Sequence, residues 1–276
     1  MRRPVFGVVL ASILVTSCEK DGGSSTFASN PVTGSSPTVS SMVVSIPAVV
    51  LTGKSVTATA TAMLSNGETR IVSSGFRSDA TAIATASDAG VITGVSNGST
   101  NISTTLDGVT GSKNLRVAPN YGGVWRGQQV MTSCSATGDL RGICEDPEYN
   151  LIGQSFPVAL DARHVEGLLT SGEFTIEIPF PTFTAPIETD GALRFSGTAT
   201  SGGIRNHASW QINSMADGRA GGTIREVISA PDFAVGEVTY DSRLANFVRD
   251  AAATLSMSNP PRFRALRSKL ATMRSR

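Results

Sequence analysis

Phe156-Pro157-Val158-Ala159-Leu160-Asp161-Ala162 sets an apolar side chain at every second position, and Ala208-Ser209-Trp210-Gln211-Ile212 does so again later in the chain. A period of two is the spacing of a strand with one buried face, not of a helix. The same alternation runs through Phe174, Ile176, Ile178 and Phe180. Strands also fit Val124 to Thr132, Ala192 to Thr200, Gly222 to Ile228 and Phe233 to Tyr240, with turn pairs such as Asp190-Gly191 and Asp217-Gly218 between several of them. Roughly eight antiparallel strands in meander order close into an up-and-down barrel and so remove their edges. A two-sheet sandwich is the alternative use of the same strands.

This stretch, residues 120–245, holds both tryptophans, all three tyrosines and six of the eleven phenylalanines. It is therefore where a large core is built. Its inward set, Trp125, Phe156, Phe174, Ile176, Phe195 and Trp210, forms the candidate ligand-binding wall. A barrel of about eight strands lies at the threshold between a packed interior and one that holds a small ligand, and both readings stand here. His207, Ser209, Gln211 and Asn213 fall on the opposite, solvent face from Trp210, and His164 stands beside Arg163 and Glu166 at a solvated turn. The opening Gly123-Val124-Trp125-Arg126-Gly127 resembles the first-strand Gly-X-Trp signature of lipocalins and other calycin barrels. That resemblance implies a late arginine packed over the tryptophan, and Arg243 occupies a suitable place. The usual lipocalin loop motifs are not evident.

Residues 39–118 alternate on the same period but with small side chains. Val43, Ser55 to Ala62, Ile83 to Ala86, Val91 to Val95, Thr100 to Thr104 and Asn114 to Val117 read as strands, and Asn66-Gly67 is a strong hairpin signal. Such a run without helix signals indicates a small β-sandwich. The order Leu51-Thr52-Gly53-Lys54-Ser55-Val56, Ser78-Asp79-Ala80, Ile83-Ala84-Thr85, Gly90-Val91-Ile92-Thr93-Gly94-Val95 and Gly98-Ser99-Thr100 resembles the bacterial Ig-like domain, group 2. Phe76 stands where many members of that family carry a tryptophan. The resemblance implies either a spacer or a module that binds glycan or protein at a surface. The sequons at Asn97 and Asn101 read as turn and strand residues.

The ends of the chain point to the cell envelope. Arg2 and Arg3 precede an apolar run from Val5 to Val15, too short to span a bilayer as a mature helix, which reads as a signal peptide over residues 1–17. Val15-Thr16-Ser17-Cys18 resembles the bacterial lipobox, which implies lipidation of Cys18 and membrane anchoring through its acyl chains. Glu19 after the cysteine favours the outer membrane by the sorting rule of that resemblance. Residues 18–38 are rich in Gly, Ser and Thr and form a flexible tether. All 22 acidic residues lie at or before Asp250, whereas Arg262, Arg264, Arg267, Lys269, Arg274 and Arg276 follow it. The formal charge of +1 is thus an acidic body with a basic tail. Leu244, Phe247, Val248, Ala251, Ala252 and Leu255 repeat at helical spacing, so residues 246–276 are expected to be a C-terminal helix followed by a basic amphipathic or disordered segment.

With Cys18 assigned to lipid, Cys134 and Cys144 remain as an even pair for a disulfide in an oxidising compartment. No metalloprotease, serine-hydrolase, phosphate-loop or dinucleotide motif is present in the sequence. Asp161, Glu166, Glu173, Glu177 and Glu188 are carboxylates of the kind glycoside cleavage uses, but Glu173 and Glu177 share the face opposite the phenylalanines, as a solvated surface would. The expectation is a non-enzymatic, all-β envelope lipoprotein: an Ig-like sandwich, then a calycin-like barrel with a C-terminal helix. No cofactor, metal or nucleic-acid partner is expected. The barrel holds a small apolar ligand or an envelope partner, or else it is a filled module and the Ig-like domain makes adhesive contacts with glycan or protein.

Overall fold

Both alternating stretches form sheets in the computed structural model, which describes residues 35–176, 179–214 and 218–250. The leader, Cys18, most of the tether and residues 251–276 lie outside the described residues, as do 177–178 and 215–217.

The first region is built from ten short strands: β1 Val39–Ser45, β2 Val49–Leu51, β3 Ser55–Thr57, β4 Thr59–Leu64, β5 Thr69–Val72, β6 Arg77–Ser78, β7 Ala84–Ala86, β8 Val91–Gly94, β9 Gly98–Leu106 and β10 Val109–Ala118. They make three sheets, ordered β1-β4-β5, β2-β10-β9-β6 and β3-β8-β7. The Asn66-Gly67 turn joins β4 to β5 as its sequence predicts, with Gly67 at φ 86° and the Asn66 side chain accepting from Glu68 N–H at 3.0 Å. The pleat sends Val44, Ala60, Ala62, Val72, Ile92, Ile102, Leu115 and Val117 into one shared core, with Phe76 as its large aromatic.

The second region is an eight-stranded antiparallel sheet: β11 Gly123–Ala136, β12 Ser155–His164, β13 Leu169–Thr175, β14 Phe183–Pro186, β15 Ala192–Ser201, β16 Ile204–Ser214, β17 Arg219–Ser229 and β18 Glu237–Asp250. From β11 to β14 and from β15 to β18 each strand pairs with the next, and β18 returns to pair with β11. β14 and β15 meet through the single bridge Ile187–Leu193. The result is a nearly closed barrel in meander order.

Two sequence expectations fail here for local reasons. Leu244, Phe247 and Val248 are strand, not helix, because β18 continues to Asp250. Between the pairs Arg126–Val248 and Gln128–Ala245 the barrel carries a β-bulge, with Asn246 at φ 50°. The extra residue turns Leu244 and Phe247 to the same side, which gives a spacing of three inside a strand. Gly127 permits the close approach, since a Cβ there would lie 2.7 Å from Phe247 Cα. Ala251, Ala252 and Leu255 lie outside the described residues. The run Phe174 to Phe180 is likewise not one strand. β13 ends at Thr175, and Phe180 N–H donates back to Phe174 C=O at 3.0 Å. Pro179 and Pro181 lack the N–H groups a continuing ladder needs.

Candidate functional site

The barrel interior is divided along its length. At the end nearer the first region the inward side chains form one cluster: Trp125, Leu160, Phe174, Ile176, Phe180, Leu193, Trp210, Ile224 and Phe247 are among its buried members. Ring centroids lie 4.4 Å apart for Phe174 and Trp210, 4.9 Å for Phe180 and Trp210, 4.8 Å for Phe195 and Trp210, and 3.8 Å for Phe183 and Phe195. Trp125 stacks on Phe247 at 5.9 Å. These are contact distances for aromatic pairs. Trp125, Phe174, Ile176 and Trp210 are thus brought together with the half-buried Phe195, while Phe156 belongs to a different cluster.

That second cluster fills the far end. Met131, Phe156, Ile204, Ile228, Val238 and Tyr240 from the barrel wall meet Leu140, Ile143, Tyr149 and Leu151 from the loop between β11 and β12. The loop begins with a short 3-10 turn, Gly138–Leu140, and is tied to β11 by the disulfide Cys134–Cys144, with Cα atoms 5.7 Å apart. A crosslink closing so short a loop stabilises by about 2.5–3 kcal/mol on the chain-entropy account. Tyr240 OH donates to Tyr149 C=O at 3.2 Å and fixes the loop over the strands.

Between the clusters lies a polar layer that no sequence motif marks. Gln129 of β11, Asn206 of β16, Glu226 of β17 and Ser242 of β18 are all buried. Gln129 Nε2 donates to Glu226 Oε1 at 2.6 Å and to Ser242 Oγ at 3.0 Å, and Asn206 Nδ2 donates to Glu226 Oε2 at 3.3 Å. The available signal was parity. Asn206 shares its strand face with Trp210, and Glu226 lies between Ile224 and Ile228, so both polar residues occupy core positions.

The near end is plugged by Tyr121, in the segment joining the two regions. Its hydroxyl shares one hydrogen between Gly191 C=O at 2.7 Å and Ile212 C=O at 2.9 Å, and it accepts from Ser214 N–H at 3.1 Å. Burial pushes its pKa up to about 12. Trp125 Nε1 donates to Tyr121 C=O at 2.7 Å. The guanidinium over Trp125 is that of Arg249, 4.8 Å from the ring, and it also donates to Asn120 C=O. Arg243 does not take that role. It lies on the exposed face of β18 opposite Val130, whereas Arg249 is the residue opposite Trp125.

His164 is not at a solvated turn either. It ends β12 half-buried, accepts from Tyr121 N–H at Nε2 over 3.0 Å, and lies 3.4 Å from the Thr170 hydroxyl through Nδ1. Burial, and then Arg249, lower its pKa below the ordinary histidine value. The two regions are clasped beside it. Arg116 of β10 donates to Ile187 C=O at 3.1 Å and Glu188 C=O at 2.5 Å, Asn97 donates to Thr189 C=O at 3.4 Å, and Val49 and Leu51 pack on the barrel core. Gly191, at φ 83°, makes that approach possible, since a Cβ there would lie 2.9 Å from Asn97. Asn101 is held in turn by Asp79 at 3.1 Å, so both sequon asparagines have structural partners.

Grooves among the described residues include one of about 640 Å³, lined by Asp161, Arg163, His164, Glu173 and Thr184, and one of about 770 Å³, lined by Arg194, Gln211, Thr223, Arg225, Asp241 and Arg243 together with Phe195 and Trp210. Of the carboxylates marked in the sequence, Asp161 and Glu173 are brought opposite each other across β12 and β13, both exposed. Glu166 and Glu188 lie apart from that pair in the loops after β12 and β14, and Glu177 is outside the described residues. Arg225 pairs with Asp241 at 3.2 Å, and Arg194 pairs with Asp190 at 2.6 Å, holding the Asp190 carboxyl at about 2. Among the described residues no group of three or more His, Cys, Asp or Glu side chains is placed to hold a metal ion.

No family model matches the chain, and no curated protein matches it. Among solved structures it is similar to domains 4–9 of the surface layer protein SbsC, with 14% identity over 75% of this chain and 31% of that one at a TM-score of 0.24. For domains 5–6 of the S-layer protein SbsC the figures are 15% identity, 75% and 98% coverage and a TM-score of 0.24. For domains 1–6 they are 12%, 79% and 41%, and 0.26. Likeness at this level transfers neither fold nor function.

Proposed function

We propose that this chain is a lipid-anchored bacterial envelope protein in which the barrel is a filled structural module, displayed to an envelope or surface partner on an Ig-like spacer. The observation that carries this reading is the occupied interior. The wall residues that would line a carrier's cavity touch one another, and loop and linker side chains close both ends. A carrier of small apolar molecules needs a largely pre-formed pocket, which makes that reading the weaker one. Trp125 on the first strand, Arg249 from the last strand over its ring, and the meander order support a calycin-like identity for the barrel. The clasp through Arg116, Asn97 and Tyr121 supports a spacer held to the barrel as one compact unit from Pro37 onwards. The lipobox-like run ending at Cys18 supports anchoring, by lipid as the membrane contact.

The test combines fractionation with native mass spectrometry of the full chain. The wild type is expected with the membranes, its mass that of the mature polypeptide plus acyl chains, and Cys18→Ala in the soluble fraction. Unchanged membrane association of Cys18→Ala overturns the anchor. A co-purified apolar molecule of several hundred daltons, on the order of a lipocalin-type ligand, overturns the filled module.

A further inference from the structure

We propose that the arginine-bearing groove over strands β15 to β18 binds an acidic polysaccharide, with a sugar carboxylate seated between Arg225 and Arg243. The inference rests on the reading of the barrel as a filled module that meets its partner from outside. Strand register sets the groove's polar side chains in two rows. One runs Arg194, Gln211, Thr223, Arg243 across four neighbouring strands. The next runs Ser196, Ser209, Arg225, Asp241 and reaches Ser133 on β11. At the usual spacing of strands, the two ends of the first row stand roughly 14 Å apart.

The charges in these rows do not cancel, because three arginines line the groove against one aspartate. Arg194 is taken up by Asp190, outside the groove, at 3.2 and 2.6 Å, and by Gln211 Oε1 at 3.3 Å. Both oxygens of Asp241 are engaged as well, one by Arg225 Nη1 at 3.2 Å and the other by the Ser133 hydroxyl at 2.9 Å. Arg243 is exposed and has no hydrogen-bond or ion-pair partner among the described residues. It stands diagonal to Arg225, since Thr223 lies opposite Arg243 and Asp241 opposite Arg225. Diagonal neighbours on one sheet face are within reach of long side chains, so two guanidinium groups flank one position. Each presents a planar fork that matches a carboxylate. The exposed Arg225–Asp241 pair is too weak to withhold Arg225 from such a ligand.

The rest of the groove selects the kind of anion. Ser196, Ser209, Gln211 and Thr223 stand among the arginines and supply donors and acceptors for sugar hydroxyls. None of the exposed large apolar side chains among the described residues lies in this groove, and Phe195 is engaged in its stack on Phe183. A peptide partner would need a pocket for an apolar or aromatic anchor, and a lipid surface would need apolar side chains to bury. The groove over β12 to β14 has the other sign, with Asp161 directly opposite Glu173 and Arg163 as its arginine. A polyanion is therefore steered to the arginine side.

The experiment is calorimetric titration of the full chain with oligogalacturonate, a chain of carboxylated sugars, with neutral dextran and poly-glutamate in parallel. Oligogalacturonate is expected to bind, and to bind less well as salt is added. Dextran is expected not to bind, and poly-glutamate to bind more weakly than the acidic sugar. Arg243→Ala is expected to lower the affinity for oligogalacturonate about tenfold, the loss of one charge-assisted contact. Arg163→Ala, in the other groove, is expected to leave it unchanged. Both arginines are exposed, so neither substitution threatens the fold. Absence of oligogalacturonate binding, equal affinity in Arg243→Ala, or poly-glutamate binding as tightly as the sugar overturns the proposal. A co-purified apolar molecule in native mass spectrometry bears instead on the filled module, so the two failures are told apart.

Discussion

The two β-regions bury their inner faces with different material. The core of residues 39–118 is Val, Ile, Leu and Ala around one phenylalanine, Phe76, and relies on many short strands in three small sheets. The barrel packs two tryptophans and several phenylalanines, crosses its own core with a polar layer, and adds a disulfide-tied loop at one end. The difference follows from geometry. Two nearby sheets need only small side chains to meet, whereas an eight-stranded barrel leaves a central volume wide enough for large rings. A filled barrel is then stable because of its rings, and each ring is a point at which it can be opened.

Breaking the comparison at its largest contrast means removing one ring from each region. Trp125→Ala loses the stack on Phe247, the Arg249 contact and the hydrogen bond to Tyr121, and is expected to cost about 5 kcal/mol in urea unfolding. Phe76→Ala is expected to cost about 3 kcal/mol, because the small side chains around it can settle into part of the space. Equal costs, or the reverse order, would mean that the rings do not dominate the barrel.

A smaller effect sharpens the comparison at the clasp between the regions. The folded protein keeps His164 neutral below the pH at which an unfolded histidine, with pKa about 6.5, takes up its proton. Protonation would also deprive Tyr121 N–H of its acceptor and set a second positive charge near Arg249. The unfolded state therefore binds more protons, and the contribution of His164 to stability declines as pH falls from about 7.5 through 6.5, levelling below the folded pKa. His164→Gln is expected to flatten that part of the curve of midpoint against pH. An unchanged slope would remove the clasp from the account.

Much of this architecture is legible in the chain. Alternation gave the strands, Asn66-Gly67 a hairpin, the meander order the barrel, and the even pair Cys134 and Cys144 its crosslink. What escaped was set by long-range pairing. The spacing of Leu244 and Phe247 fits a helix until β11 is seen opposite them, with Gly127 admitting the bulge. The arginine over Trp125 is Arg249 rather than Arg243, because the β11–β18 register sets Arg249 opposite Trp125 and Arg243 opposite Val130. His164 reads as a surface residue because its partner, Tyr121, lies far off in sequence. Glu226 and Asn206 sat at inward parity all along, but single polar residues in an alternating strand gain meaning only when four strands bring them together.

The claim on which the rest depends is that the barrel's own side chains fill it. Xenon enters and orders in empty apolar cavities, so crystals of the full chain pressurised with xenon address that claim directly. The account predicts no xenon site within the ring of Trp125, Phe174, Trp210 and Phe247, or under the loop that carries Leu140 and Leu151. An ordered xenon atom among those side chains would contradict it and return the barrel to the class of ligand carriers.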